Sequence, residues 1–277
     1  MWPRIDAPVY LVLGKVYHEL NNYMSHGWQL RGTFLKISSA IVIIVSMNTS
    51  GCATTGDDGV WPRIVTNSHA SVKQKSVWIP LAAAVFFAAT SADHEVSEWA
   101  IEHQPLFGST ENASDWSDWL SNGLVASALI TSLAQRDDVY QPLVTDLLTL
   151  SGAYAFTAGT KQVAGRTRPD RTNDLSFPSL HASSAFSAAQ ITNRNLSTLE
   201  TSHAGMVKVG LFAFASASAW ARIEAARHYP SDVLTGAAIG NFFAGIGNAF
   251  LEERENVTVS YVPTTDGGEL RIQWLFR

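Results

Sequence analysis

The chain has a single cysteine, Cys52, in 277 residues. That scarcity excludes an intrachain disulfide framework and any zinc site built from several cysteines. Charge is also sparse: Asp, Glu, Lys and Arg make up 16% of the sequence, against about 25% in ordinary soluble domains. Basic residues number 19 and acidic residues 24, so the basic excess of a nucleic-acid binder is missing and no nucleic-acid partner is expected. Gly-x-Ser-x-Gly is absent, which removes the usual hydrolase nucleophile elbow. His94-Glu95-Val96-Ser97-Glu98 lacks the second histidine of a zinc-binding helix, so no metal is expected there. What remains is 46% apolar residues and a mean hydropathy of +0.05. That is enough for a core and rules out general disorder. It is low for a chain made mostly of lipid-facing helices.

The cysteine has an informative neighbourhood. Arg31 and Lys36 precede a short apolar stretch, Ile37 to Met47, followed by Asn48-Thr49-Ser50-Gly51-Cys52. A basic region, a short apolar region and small residues before a cut describe a secretory signal, and the stretch is too short to span a bilayer as a standard helix. Small residues before Cys52 resemble a bacterial lipoprotein signal, in which the cysteine is lipidated and becomes the new N-terminus. Thr49 departs from that pattern, which usually has Leu, Val or Ile; an ordinary signal or short anchor with an incidental cysteine is the other reading. Residues 1–51 are thus expected to be a signal segment. Residues 1–23 fit no signal layout, which is consistent with a mis-called start and a signal opening at Met24. The expected location is the periplasmic side of a bacterial envelope, with a lipid anchor.

Residues 52–76 are rich in Gly, Thr, Ser and Asp and are expected to form a tether. Residues 77–254 read as a helical domain, with helices near 78–92, 117–135, 141–165, 179–193, 204–226 and 230–252. Several windows lack charge, but small polar residues recur in them; Ser216 and Ser218 alternate with alanine between Phe212 and Trp220. This favours a compact bundle over a multi-spanning protein while leaving spanning helices open. Residues 255–277 alternate in strand fashion around Asp266-Gly267-Gly268. The expected fold is all-α, a bundle of about six helices with a C-terminal β-hairpin.

Three clusters carry chemistry. In Lys161-Gln-Val-Ala-Gly-Arg-Thr-Arg168-Pro169, seven residues separate two cations, close to two helical turns, so on a helix they share a face suited to an oxyanion. In Phe177-Pro178-Ser179-Leu180-His181, Pro178 suits the first position of a helix whose free N–H groups attract an anion. Ser179 adds a hydroxyl there, and His181 is near enough to pass a proton. In the stretch from Arg222 to Asp232, His228 and Asp232 are four apart, so the carboxylate can accept an imidazole N–H and leave the other nitrogen basic. Bringing Arg222 beside His228 requires a break in the helix, for which Pro230 is the candidate. Arg166, Arg171 and Arg227 border the clusters and read as rim or surface. Each cluster alone also fits a bland role, as solvated surface, a capped helix start or an i,i+4 pair.

Together and in this order the clusters resemble the type 2 phosphatidic acid phosphatase and vanadium haloperoxidase superfamily. Its pattern is Lys, six residues, Arg-Pro; then Pro-Ser-Gly-His; then Ser-Arg, five residues, His, three residues, Asp. The chain matches at Lys161, Arg168, Pro169, Pro178, Ser179, His181, Arg222, His228 and Asp232, and departs at Leu180 (glycine in the family) and Ala221 (serine). The resemblance implies a phosphatase in which His228 attacks phosphorus, Asp232 orients it, and His181 protonates the leaving oxygen. It assigns Lys161, Arg168, Ser179, the Leu180 amide and Arg222 to holding the phosphate. It implies no metal and no cofactor, with vanadate able to bind as a phosphate mimic. The implied substrate is a phosphorylated lipid or a small phosphate ester. Transfer to an alcohol, vanadate-dependent halide oxidation and a non-catalytic envelope protein are the alternatives.

Overall fold

Small residues decide how closely the helices of this chain approach one another. The computed structural model describes residues 60–135, 139–198, 204–252, 257–264 and 267–274; the signal segment 1–51 and Cys52 lie outside them. Eight helices are present among the described residues: α1 (Val60–Val72), α2 (Lys75–Ala88), α3 (Ala92–His103), α4 (Thr110–Leu133), α5 (Tyr140–Ala164), α6 (Leu180–Thr198), α7 (Ala204–Glu224) and α8 (Pro230–Glu252). Two strands follow, β1 (Val257–Thr264) and β2 (Gly267–Trp274), paired antiparallel with Val257 opposite Trp274.

The all-α class is as expected, but the number of helices is not. Helix α1 occupies much of the stretch expected to be a tether, and α3 was not foreseen. Both bury polar faces, which hydrophobic periodicity does not register. Asn67 and Ser71 of α1 are buried, and the Ser71 hydroxyl donates to the Phe242 carbonyl of α8 at 2.8 Å. In α3 the buried positions are Asp93, Ser97 and Ala100, a helical stripe with one apolar member.

Helix α8 is the hub, packing against α1, α2, α5 and α6. A Cβ on Gly236 would overlap the carbonyl oxygen of Ser179, and one on Gly240 would overlap that of Ser183. Two glycines four apart on α8 therefore let it lie directly on α6. The core around this contact is mostly alanine, with Ala185, Ala188 and Ala189 of α6 meeting Leu124 and Ala128 of α4 and Ala215 of α7. Close packing of small side chains fixes helix ends accurately, and the motif residues sit at four of those ends.

The outer surface is more apolar than a tethered water-soluble bundle requires. Val85 and Phe86 of α2, Phe156 and Val163 of α5, and Val209 and Phe214 of α7 are all exposed. Two helical stretches, Gly205–Glu224 and Pro230–Leu251, are long and apolar enough to cross a membrane, and α2 and α3 form a third such unit bent by 91°.

Candidate active site

Helix α5 ends at Ala164 because Gly165 takes a left-handed φ of 56° and its N–H donates to the Lys161 carbonyl at 3.3 Å. Arg168 therefore lies beyond the helix, and the expectation that Lys161 and Arg168 share a helical face is corrected. The loop folds back instead: the Ser176 N–H donates to the Arg166 carbonyl at 2.9 Å, and Lys161 Nζ donates to the Leu175 carbonyl at 2.7 Å. This leaves the Lys161 ammonium buried.

Helix α6 begins at Leu180, two residues later than a start at Pro178 requires. Ser179 precedes it, its hydroxyl accepting the Ala182 N–H at 3.4 Å and its own N–H donating to the Asp232 carbonyl at 3.0 Å. The first-turn amides that helix geometry leaves for an anion are then those of Leu180 and His181. A backbone donor does not depend on its side chain, so leucine in place of glycine keeps this feature.

Helix α7 ends at Glu224, and Ala226 takes a left-handed φ of 56°. The N–H groups of Arg227 and His228 both donate to the Arg222 carbonyl, at 3.0 and 3.2 Å. The chain thus turns beneath Arg222 and sets His228 beside it. The break expected at Pro230 occurs a few residues earlier, and Pro230 starts α8 as expected.

The expected hydrogen bond between His228 and Asp232 is not formed. His228 Nδ1 stands 3.7 Å from Asp232 Oδ2 and, among the described residues, has no hydrogen-bond partner. The carboxylate is engaged elsewhere. Oδ2 accepts from the Ser176 hydroxyl at 2.5 Å and the Tyr229 N–H at 2.9 Å, and Oδ1 accepts from Arg166 Nη1 at 2.7 Å.

Arg166 also differs from its expected place on the rim. Its second terminal nitrogen donates to Asp93 Oδ2 at 2.6 Å, and its guanidinium lies over the Tyr229 ring, 4.2 Å from the centroid. Asp93 in turn accepts from the N–H and hydroxyl of Ser231 at 2.8 and 2.6 Å. Arg227 is surface-like as expected, paired with Asp170 at 2.8 Å, and Arg171 is exposed.

Helix α4 contributes two neighbours that the sequence did not mark. Ser117 accepts from Arg222 Nη1 at 2.8 Å, and Asp118 Oδ1 lies 2.6 Å from His181 Nε2. Neither belongs to a motif with recognisable spacing, and both act across more than sixty residues of sequence. Close by, buried Glu224 accepts from the N–H groups of Leu106 and Phe107 at 3.1 and 3.0 Å, fixing the loop before α4.

The electrostatics show that the clusters converge. Burial holds the His228 imidazole well below its ordinary pKa, and the positive charges of Lys161, Arg222 and Arg168, together with His181, push it the same way. His228 is therefore uncharged at neutral pH, with a free lone pair. His181 is also lowered, by burial and by Arg222, while Asp118 acts in the opposite sense. Burial, with Arg168 and Arg222 against it and Asp232 for it, lowers Lys161 to about 7. Such a set of cations, first-turn amides and neutral imidazoles suits a tetrahedral oxyanion.

Sulfate, whose charge is constant near neutrality, isolates the Lys161 contribution. Its affinity is expected to fall about tenfold or more as pH rises through about 7, because Lys161 loses its proton there and one charge-assisted contact disappears. Lys161→Arg, which stays protonated, is expected to flatten the curve. Calorimetric titration between pH 6 and 9 (about neutral) checks this; a pH-independent wild-type affinity would contradict it.

Residues 142–255 match the family model of the PAP2 superfamily. The chain is 33% identical over 105 residues to the lipid A 1-phosphatase of Porphyromonas gingivalis, an alignment covering 38% of this chain and 23% of that protein. The chain thus spans less than a quarter of that relative's length. Its fold is similar to that of a transmembrane PAP2-type phosphatidylglycerolphosphate phosphatase from Bacillus subtilis, with a TM-score of 0.50 and 20% identity over 70% of this chain and 94% of the other. LpxE of Aquifex aeolicus aligns with a TM-score of 0.44 and 23% identity, over 56% of this chain and 93% of the other. The family model spans the motif residues from Lys161 to Asp232, so this part of the chain is similar to the PAP2 superfamily.

Proposed function

We propose that this protein is a lipid phosphate phosphatase that hydrolyses a phosphate monoester or diphosphate through a phosphohistidine on His228. The observation that carries the reading is the buried His228 imidazole, with the cations Lys161, Arg168 and Arg222 near enough to favour its neutral form. A neutral imidazole is nucleophilic, and the cations offset the negative charge of the phosphoryl group it must approach. In the first step a His228 nitrogen bonds to phosphorus as the ester P–O bond breaks, and His181, protonated when the bound phosphate offsets Arg222 and Lys161, gives its proton to the leaving oxygen. In the second, neutral His181 takes a proton from water while the water oxygen attacks phosphorus and the P–N bond breaks. Asp232, held by Arg166, Ser176 and the Tyr229 amide, compensates the charge on phosphorylated His228. The fixed cations take the part a divalent metal has in other phosphatases, and vanadate binds the same cradle as a mimic of the phosphorus transition state.

The location of the site supports a lipid substrate. Arg222 lies at the end of Gly205–Glu224 and His228 in the connection to Pro230–Leu251, the two stretches long and apolar enough to cross a membrane among the described residues. A cradle in that connection sits at the membrane–water boundary, at the level of a phospholipid or lipid diphosphate headgroup. Leu180 places partly exposed apolar surface at the start of α6, beside the cradle amides. We read the periplasmic face as the side on which the site opens.

Purified protein in EDTA is expected to release phosphate from phosphatidate or undecaprenyl diphosphate and, more slowly, from p-nitrophenyl phosphate. His228→Ala is expected to lose about 10⁴-fold or more in turnover together with any acid-labile phosphoenzyme. Turnover that needs added metal, or a His228→Ala protein that still traps labelled phosphate, would contradict the mechanism.

Lipidation of Cys52 is part of the same reading, as a second attachment beside the crossing helices. Cys52→Ser is expected to stop fatty-acid labelling while the protein stays in membranes washed with alkaline carbonate. Release into the wash would leave the lipid as the only anchor and remove the membrane-crossing role from α7 and α8.

A further inference from the structure

We propose that Asp118 of α4 is a positioning residue for the proton-transferring His181, which extends the reaction centre beyond the matched family region into the N-terminal half of the domain. The inference rests on the phosphatase reading of His181 given above. Asp118 Oδ1 lies 2.6 Å from His181 Nε2, so the carboxylate accepts the Nε2–H and fixes both the plane of the ring and its tautomer. The proton exchanged with substrate is then carried by Nδ1, the nitrogen turned away from Asp118.

The helix that carries Asp118 is itself held in place at the site. The preceding residue, Ser117, is fully buried; its hydroxyl accepts from Arg222 Nη1 at 2.8 Å and its carbonyl accepts from the Ser218 hydroxyl at 3.2 Å. Ser109 caps the start of α4, accepting the Asn112 N–H at 3.0 Å. Consecutive residues of one helix turn thus hold a phosphate-facing guanidinium and the acid–base imidazole. Across the whole site, His181 faces cations from two elements, Arg222 of α7 and Lys161 of α5, with the His228 imidazole near it and Asp118 as the opposing anion. Both cations disfavour the imidazolium that must protonate the leaving group, and Asp118 favours it. Asp118 itself takes no net proton in the cycle: the proton lost from His181 Nδ1 to the leaving oxygen is replaced from water in the second step.

Asp118 is 48% exposed, so its substitution leaves neither a cavity nor an orphaned buried charge. The test compares kcat/KM, which reports the step that expels the leaving group, for phosphatidate and for p-nitrophenyl phosphate. The alkoxide of phosphatidate leaves only with a proton, whereas p-nitrophenolate leaves without one. Full-length Asp118→Ala and Asp118→Asn proteins are expected to lose about tenfold or more on phosphatidate and about threefold or less on p-nitrophenyl phosphate, part of what general acid catalysis supplies. Asp118→Glu is expected to restore most of the phosphatidate activity. Equal losses on both substrates, or no loss, would overturn the inference while leaving the phosphatase reading intact. A wild-type protein inert toward both substrates would overturn that reading, and the role of Asp118 with it.

Discussion

The ion pair between Arg166 and Asp232 is the interaction on which the rest of this site depends. One guanidinium joins three parts of the chain that are distant in sequence: Asp93 on α3, the loop after α5, and the first turn of α8 with Ser231 and Asp232. Asp232 is wholly buried, and an unpaired carboxylate there would be costly. With Arg166, the Ser176 hydroxyl and the Tyr229 amide on it, the charge is compensated and the α8 start is locked against the loop that carries Arg168. The glycines of α8 then carry that register to α6, so Ser179, Leu180 and His181 take their places from the same contact.

That arrangement has an electrostatic consequence. Lys161, Arg168 and Arg222 all act on His228, and the buried Asp232 carboxylate near them is shared with Arg166. On the proposed reading, the phosphoryl dianion is the charge these cations meet. The 3.7 Å gap between His228 and Asp232 fits this state. A neutral imidazole has little need of a full hydrogen bond to the carboxylate, and on the proposed mechanism that need rises when His228 takes up the phosphoryl group. A long contact of this kind is compatible with a pair that tightens only when substrate is bound.

Much of the helical framework was legible because long Ala-rich segments with strong boundaries mark themselves. Pro230 opens α8 where a proline suits a first helical turn, and α5 and α7 run close to their expected limits. The motif residues were legible because their types and spacings are unusual together. The supporting residues were not. Asp93, Ser117 and Asp118 reach the site only through tertiary packing, and nothing local separates them from surface polar residues. Arg166 looked like a rim residue because its partners lie 66 and 73 positions away. The left-handed Ala226 also escaped notice, since alanine gives no sign of a turn that glycine would have announced. Helices α1 and α3 were missed because they bury Asn67, Ser71, Asp93 and Ser97, where an apolar stripe is the usual signal.

The central claim is that the phosphoryl group passes through His228 on its way to water. The stereochemical course at phosphorus tests it directly. A substrate ester made chiral at phosphorus with sulfur and heavy oxygen is hydrolysed in isotopically labelled water, and the configuration of the released thiophosphate is determined. Two successive in-line displacements, first by His228 and then by water, give overall retention. Net inversion would mean a single direct attack by water, and would contradict a covalent role for His228.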